Sequence, residues 1–224
     1  MIKHVIFDLD GTLLDTRRGI IDSVKYAAKE LGFPELPHET LLKFVGPPIQ
    51  QSLMTFYGCD PETAQRGANI FRDYYKTTTL LEAEPYEGIY ELCGKLKDNG
   101  IRMAVATYKR EDYALTLLRH FDFHKYCDPM HGADNNNVLR KEDIVKLCLD
   151  EMGATIHDSV LIGDTEHDAL GAAKAGTHFL AVLYGFGFQT AEDVRDYPCI
   201  GAAATPLEIA DILLSGSSGP AGDR

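Results

Sequence analysis

Four short apolar runs, separated by stretches with helical spacing of apolar residues, constrain the fold of this 224-residue chain more than any other feature. Each run has the length of a buried strand, and the first and third lead directly into glycine and acidic residues. The runs are Val5-Ile6-Phe7, Met103-Ala104-Val105-Ala106, Val160-Leu161-Ile162 and Phe179-Leu180-Ala181-Val182-Leu183, and a fifth, weaker strand is predicted near Cys199-Ile200. Strands that alternate with helices require parallel crossovers. We therefore predict a three-layer α/β core in which helices cover both faces of a parallel sheet.

One long interval, from residue 17 to residue 83, interrupts this alternation because it contains amphipathic helical stretches but no convincing strand. An apolar helical stripe that starts at Ile20 stops at Gly32. Asp60-Pro61 is typical of the start of a second helix, which we expect to run through Tyr75. The interval therefore predicts a helical insertion after the first strand.

These patterns predict three segments. Residues 1–16 and 84–214 should form the α/β core, and residues 17–83 should form an inserted helical cap. Residues 215–224 are rich in serine, glycine and proline, so we expect a flexible tail.

The charge balance indicates what kind of partner the chain binds. It has 22 lysines and arginines against 34 aspartates and glutamates, a net charge of −12. This excess would repel nucleic acid and anionic membranes, so small ligands are favoured. No apolar run approaches the roughly 20 residues that span a bilayer, and no signal peptide is recognised, so we expect a cytoplasmic protein. Five scattered cysteines without a CxxC pair predict neither disulfides nor a zinc site.

The strongest chemical signal is Asp8-Leu9-Asp10-Gly11-Thr12, at the end of the first predicted strand. Carboxylates two residues apart on an extended segment point to the same side and can share one pocket. They also repel each other, and a divalent cation relieves that repulsion. The alternative is an acidic loop that caps a helix. The motif favours a metal-binding or catalytic pair.

A second acidic cluster, Gly163-Asp164-Thr165-Glu166-His167-Asp168, follows the third apolar run. If a helix begins here, Asp164 and Asp168 are four residues apart and face the same way, so both would reach one metal. The alternative is an N-terminal helix cap. Both clusters follow strands, and open α/β sheets bind ligands at the carboxyl ends of their strands.

Together these motifs resemble those of the haloacid dehalogenase superfamily, and the resemblance covers nearly the whole chain except the tail. Asp8-Leu9-Asp10-Gly11-Thr12-Leu13 is similar to the family's first motif, and Thr107 in Val105-Ala106-Thr107 to its second. Gly163-Asp164 through Asp168 is similar to the fourth, metal-binding motif. The resemblance implies a Rossmann-like core with an inserted helical cap.

The same resemblance implies phosphoryl transfer through an aspartyl-phosphate intermediate. Asp8 would be the nucleophile. Mg²⁺ would be held by Asp8, the Asp10 backbone carbonyl and Asp164, with Asp168 orienting a metal-bound water or the third-motif lysine. Asp10 would protonate the leaving oxygen and later activate water.

The family's third motif is a lysine near a helix start, which Lys141 matches, although the usual lysine-proline context is absent. Arg140 is the alternative. Thr107 and Lys141 would donate hydrogen bonds to the phosphoryl oxygens that gather charge in the transition state.

The predicted cap narrows the substrate class. Phe44-Val45-Gly46-Pro47-Pro48-Ile49 and Pro85-Tyr86-Glu87-Gly88-Ile89 resemble segments of the phosphoglycolate phosphatase group. Asp10 separates the chain from the dehalogenase branch, which lacks this second aspartate. We therefore expect a Mg²⁺-dependent phosphatase of a small phosphorylated metabolite, as a monomer or homodimer. The alternatives are a 5'-nucleotidase or pyrophosphatase of the same family, a β-phosphoglucomutase-like phosphomutase, and a non-catalytic protein that binds a phosphorylated metabolite.

Two further sets of residues are candidates for ligand contacts. Five cations near the predicted mouth of the site could hold a substrate carboxylate or a second phosphate, although a single cation of this kind is more often a surface charge. They are Arg17, Arg18, Lys43, Lys109 and Arg110. The aromatic-glycine run Tyr184-Gly185-Phe186-Gly187-Phe188 is interpreted as a loop near the site, with a dimer contact as the alternative.

Overall fold

The computed structural model describes residues 1–134 and 138–215, and its main sheet has six parallel strands in the order β5-β4-β1-β6-β7-β8. A separate two-stranded sheet pairs β2 with β3. The strands are β1 (His4–Phe7), β2 (Leu14–Asp15), β3 (Glu84–Pro85), β4 (Arg102–Arg110), β5 (Cys127–Ala133), β6 (Ser159–Gly163), β7 (His178–Val182) and β8 (Ala202–Ala203). The predicted α/β class is confirmed.

Helices connect successive strands of the main sheet as far as β7, and residues 183–201 join β7 to β8 without a described helix. The described α-helices are α1 (Arg17–Glu30), α2 (His38–Leu42), α3 (Ile49–Tyr57), α4 (Pro61–Tyr74), α5 (Ile89–Asp98), α6 (Glu111–His120), α7 (Lys141–Met152), α8 (Glu166–Ala175) and α9 (Pro206–Leu214). In the described part of the chain, no helix combines the length and hydropathy needed to cross a membrane. Ser215, predicted to begin a flexible tail, lies at the carboxyl end of α9, and residues 216–224 of that predicted tail fall outside the described residues.

The chain divides into two compact units. One unit contains Met1–Leu14 and the chain from Pro85 onward, and the other contains Asp15–Glu84. In the first unit, β1 lies between β4 and β6, with Phe7 level with Val105 on one side and Ile162 on the other. Such central strands are buried on both faces, which explains why their sequences are continuously apolar.

The Asp15–Glu84 unit, called the helical unit below, has its own apolar core. Its members are Ile21, Val24, Leu41, Phe44, Ile49, Leu53, Ala64 and Ala68. The Asp60 carboxylate accepts a hydrogen bond from the Thr63 amide at 2.9 Å and caps α4, as Asp60-Pro61 predicts. The helix does not run on unchanged through Tyr75, because a π-helical turn replaces it over Tyr75–Thr79.

Two edge strands differ from the sequence prediction. β5 was not predicted, because Cys127–Ala133 includes Asp128, Pro129 and His131 and forms no apolar run. An edge strand has only one neighbour, which allows proline and polar residues that a central strand excludes. The weak strand predicted near Cys199-Ile200 lies instead at Ala202–Ala203, where β8 pairs with β7.

Candidate active site

The parallel sheet brings the two acidic motifs to one edge. Asp8 follows β1 directly, and its backbone amide donates to the carbonyl of Ile162 in β6 at 2.9 Å. Asp164 is the first residue after β6. Thr107 is buried in β4, two residues beyond Val105, which is paired with the last residue of β1. The carboxyl ends of three adjacent strands therefore present these side chains together.

Lys141, the first residue of α7, joins two of the carboxylates. Its Nζ lies 2.6 Å from Asp8 Oδ1 and 2.7 Å from Asp168 Oδ1. The three side chains are 3%, 10% and 3% exposed, respectively. Gly171 allows this approach, since a Cβ there would lie 2.5 Å from Lys141 Cγ. Arg140, the alternative cation, is exposed at the N-cap of α7.

Asp164 and Asp168 do not share a helix as predicted. Because α8 begins at Glu166 and Thr165 is its N-cap, Asp164 lies before the helix. Asp168 Oδ2 accepts hydrogen bonds from the Thr165 amide at 3.1 Å and from Thr165 Oγ1 at 2.7 Å, which closes a capping box. The helix-cap alternative therefore applies to Asp168, while Oδ1 of the same carboxylate binds Lys141.

Burial dominates the electrostatics of this cluster. It raises the pKa of Asp8 to about 7 even though Lys141 pulls it down. Burial, together with the charges of Asp168 and Asp8, raises the pKa of Asp164 to about 8. Burial lowers the pKa of Lys141, but the charges of Asp168 and Asp8 outweigh that effect and hold it above its ordinary value. Lys141 is therefore protonated near neutral pH. Burial disfavours the charged forms of Asp8 and Asp164, and a further cation would stabilise them.

The oxygen atoms fit a divalent cation. One carboxylate oxygen from each of Asp8, Asp164 and Asp168 lies within 4.8 Å of the other two. Asp164 Oδ1 is buried and has no hydrogen-bond partner among the described residues. Such an atom is costly to bury, and hard cations such as Mg²⁺ prefer oxygen ligands. Both oxygens of Asp168 have protein donors, so Asp8 and Asp164 are the better-placed ligands.

The second carboxylate of the first motif lies in a different environment. Lys109 Nζ lies 2.9 Å from Asp10 Oδ1 and 3.1 Å from Oδ2, and the two side chains are 8% and 24% exposed, respectively. Sequence analysis suggested Lys109 as a cation for substrate or as a surface charge. In this structure its ammonium is mostly buried and pairs with Asp10, so it is not an exposed surface charge, and a role in binding substrate stays a prediction. Its sequence signal was its position two residues after Thr107.

The other predicted cations have local partners or are exposed. Arg17 pairs with Asp15, Arg18 Nε lies 3.3 Å from Glu82 Oε2, and Arg110 Nε donates to Asp112 at 2.6 Å. Lys43 is exposed on the helical unit.

One group of site contacts was missed. The backbone amides of Phe186 and Gly187 donate to Asp164 Oδ2 at 2.6 and 3.2 Å. The sequence predicts that the aromatic-glycine run lies near the site. It does not predict which backbone amides donate, because every residue except proline has one, and only the glycines indicate a close approach.

Comparisons with known proteins agree on the family. A family model of haloacid dehalogenase-like hydrolases matches residues 5–182. A 5'-nucleotidase from Pseudomonas aeruginosa is 37% identical over 187 residues, covering 83% of this chain and 85% of the relative. A phosphoglycolate phosphatase from Nitrosospira multiformis is 30% identical, with 96% and 97% coverage. The crystal structure of a predicted phosphatase from Clostridium acetobutylicum superposes with a TM-score of 0.84 at 34% identity, covering 96% of this chain and 99% of that one.

The chain therefore belongs to the haloacid dehalogenase-like hydrolases and is a phosphatase. Phosphatases of this kind act on small phosphorylated substrates and typically use a divalent metal, which agrees with the buried acidic cluster.

Proposed function

We propose that this phosphatase is a Mg²⁺-dependent phosphomonoester hydrolase that forms an aspartyl-phosphate on Asp8 and acts on a small metabolite such as phosphoglycolate. The observation that carries the proposal is the buried arrangement of Asp8, Lys141, Asp168 and Asp164. A nucleophilic carboxylate can approach a phosphoryl anion only where positive charge surrounds both.

Each residue of the cluster has a distinct task in this proposal. Lys141 fixes Asp8 Oδ1 and so restricts the orientation of the nucleophile, and Asp168 holds Lys141 from its other side. Asp8 and Asp164 would hold Mg²⁺, with the Asp10 backbone carbonyl as a further ligand. When bound, Mg²⁺ would supply positive charge that offsets the charges of the carboxylates and of the phosphoryl group.

Proton transfer and phosphate binding are assigned to residues beside this cluster. Asp10 would protonate the leaving oxygen and then take a proton from the attacking water. Its ion pair with Lys109 keeps the carboxylate at the sheet edge. Thr107, buried in the neighbouring strand, would donate its hydroxyl to a phosphoryl oxygen.

A nucleoside 5'-monophosphate is the second candidate substrate. Tyr108 follows Thr107 directly, is 44% exposed, and has its ring centroid 6.3 Å from that of exposed His167. A large exposed aromatic side chain next to a phosphate-binding residue offers a surface on which a nucleobase can stack. The 5'-nucleotidase relative supports the same candidate.

The test is phosphate release from phosphoglycolate, nucleoside monophosphates, sugar phosphates and pyrophosphate, each with Mg²⁺ and with a chelator. We expect release only with Mg²⁺. If nucleotides are preferred, Tyr108→Ala should lower kcat/KM for nucleotides alone, and Tyr108→Phe should restore it. Release that survives chelation would contradict the metal requirement. Absence of release from every compound would favour a phosphomutase or a non-catalytic binding protein.

Two features remain predictions. We propose that the helical unit acts as the cap that determines substrate choice, and that the protein is a monomer or homodimer in the cytoplasm. Light scattering of the purified protein measures the oligomeric state.

A further inference from the structure

We propose that the loop Tyr184–Phe188, called the clasp loop here, positions Asp164 so that one carboxylate oxygen is reserved for the metal ion. The inference deepens the proposed function and rests on it. No residue of this loop is proposed to touch the metal or the substrate, so they are positioning residues.

Three consecutive backbone amides of the clasp loop bind a single residue. Those of Phe186 and Gly187 donate to Asp164 Oδ2, and that of Phe188 donates to the Asp164 backbone carbonyl at 2.7 Å. Asp164 is thus held at one carboxylate oxygen, Oδ2, and at its backbone carbonyl. The other oxygen, Oδ1, is buried without a hydrogen-bond partner among the described residues. Two amide donors on one oxygen therefore define which oxygen stays available to a cation.

The two glycines of the clasp loop are required by distance. A Cβ at Gly185 would lie 2.4 Å from Asp164 Cβ and 2.4 Å from the Gly11 carbonyl oxygen. A Cβ at Gly187 would lie 2.5 Å from the Asp164 carbonyl oxygen. Neither glycine has a positive φ. Their lack of a side chain, rather than an unusual backbone conformation, lets the loop reach Asp164.

The ends of the clasp loop are anchored separately. The Tyr184 hydroxyl donates to the Thr12 carbonyl at 3.0 Å, which ties the loop to the segment that follows β1. The Phe188 side chain is buried, with its ring centroid 6.4 Å from that of Phe179 in β7. The loop therefore connects the segment after Asp8 and Asp10 to Asp164. Groups that orient a metal ligand in this way commonly change metal affinity by about 10–100-fold when they are altered.

The test compares Gly185→Ala with Gly94→Ala. Gly94 lies in α5, and a Cβ there meets nothing within 4 Å, so it is a matched control for the same substitution. Mg²⁺ titration calorimetry gives the Kd, and circular dichroism of the metal-free proteins establishes folding. We expect the Kd of Gly185→Ala to rise on the order of tenfold or more, and that of Gly94→Ala to stay at the wild-type value. The kcat of Gly185→Ala should recover at saturating Mg²⁺, which a general structural defect would not allow.

The outcomes separate the two proposals. If wild-type protein binds no Mg²⁺, the proposed function fails and the inference fails with it. If wild-type protein binds Mg²⁺ and folded Gly185→Ala binds it equally well, the inference alone is overturned. Should Gly185→Ala not fold, Tyr184→Phe removes only the hydroxyl donor. Its Kd should rise roughly threefold to fivefold, and an unchanged Kd would overturn the inference.

Discussion

The sheet edge and the helical unit both contain clusters of charged side chains, but the two clusters differ in solvent exposure. At the sheet edge, Asp8, Lys141, Asp164 and Asp168 are all buried. The helical unit instead lines a cavity of about 450 Å³ with charges of both signs, and the Arg18 side chain on its wall is 71% exposed. Its charged lining includes Arg17, Arg18, Asp22, Lys25 and Glu82.

The difference in burial determines how much the removal of one charged side chain costs. A buried charge cannot relax into water, so removing one member of the sheet-edge cluster leaves its partners uncompensated. An exposed pair is screened by solvent and salt, so removing one member costs little. We therefore expect substitutions of the buried charges at the sheet edge to change both kcat and the free energy of unfolding. Substitutions of the exposed charges in the helical unit should change substrate binding only.

Asp8→Asn should have the largest effect. The amide keeps the volume but removes the nucleophile, so kcat should fall on the order of 10⁴-fold or more with the fold retained. Phosphate release with Mg²⁺ and circular dichroism measure both. Asp98→Asn, an exposed residue of α5, is the control and should retain wild-type kcat. Wild-type turnover in Asp8→Asn would show that another group attacks phosphorus.

Lys141→Met should have the second-largest effect. It leaves Asp8 and Asp168 buried without their cation, so kcat should fall on the order of 10²–10³-fold. The free energy of unfolding should drop by about 3 kcal/mol. Urea denaturation of metal-free protein measures the stability, and Lys146→Met, an exposed position of α7, is the matched control. Equal stability of the two variants would mean that the buried pairs do not matter to the fold.

The pH dependence of metal binding should be intermediate. The pKa values of about 7 for Asp8 and about 8 for Asp164 mean that protons compete with the cation near neutrality. Mg²⁺ affinity should therefore fall on the order of tenfold or more from about pH 8 to about pH 6, as calorimetry would measure.

The metal-free protein should show the opposite trend in stability. Because folding raises both pKa values, their protonated forms favour the folded state, and that stability is lost as pH rises through them. In chelator, Tm should fall as the pH is raised from about 6 to about 8.5. A rising Tm over this range would contradict the burial of these carboxylates.

Lys25→Ala should have the smallest effect. Lys25 lines the cavity of the helical unit, so KM for the preferred substrate should change by about fivefold or less with kcat unaltered. Lys43→Ala, exposed on the same unit and outside the cavity lining, should change neither constant. A large loss of kcat in Lys25→Ala would abolish the distinction between the two regions.

The central strands could be predicted because burial on both faces leaves a direct mark on composition. The runs that begin at Val5, Met103 and Val160 lie in β1, β4 and β6, within one residue of each observed start. The edge strand β5 could not be predicted in this way, because its composition is set by partial exposure. A strand can be predicted from sequence when it is buried on both faces. A partly exposed edge strand lacks this apolar signal.

The candidate site divides along a similar line. Acidic side chains after apolar strands are visible in a sequence, so Asp8 and Asp164 could be named. The pairing of Lys109 with Asp10 depends on side-chain placement between β4 and the segment that follows β1, and the amides that hold Asp164 belong to the backbone. The shared helix predicted for Asp164 and Asp168 is wrong, because α8 starts at Glu166, but one oxygen of each carboxylate still lies within 4.8 Å of the other.

The central position of β1 has a consequence for how the protein is made. β1 leaves the ribosome before the other strands of the main sheet, yet both of its neighbours, β4 and β6, are encoded far downstream. At translation rates of about 5–20 residues per second, Asp8 is synthesised roughly 8–30 seconds before Asp168. The helical unit is contiguous in sequence and can fold during that delay. The apolar strand β1 stays without its neighbours until they are synthesised, so nascent chains of intermediate length expose it unpaired.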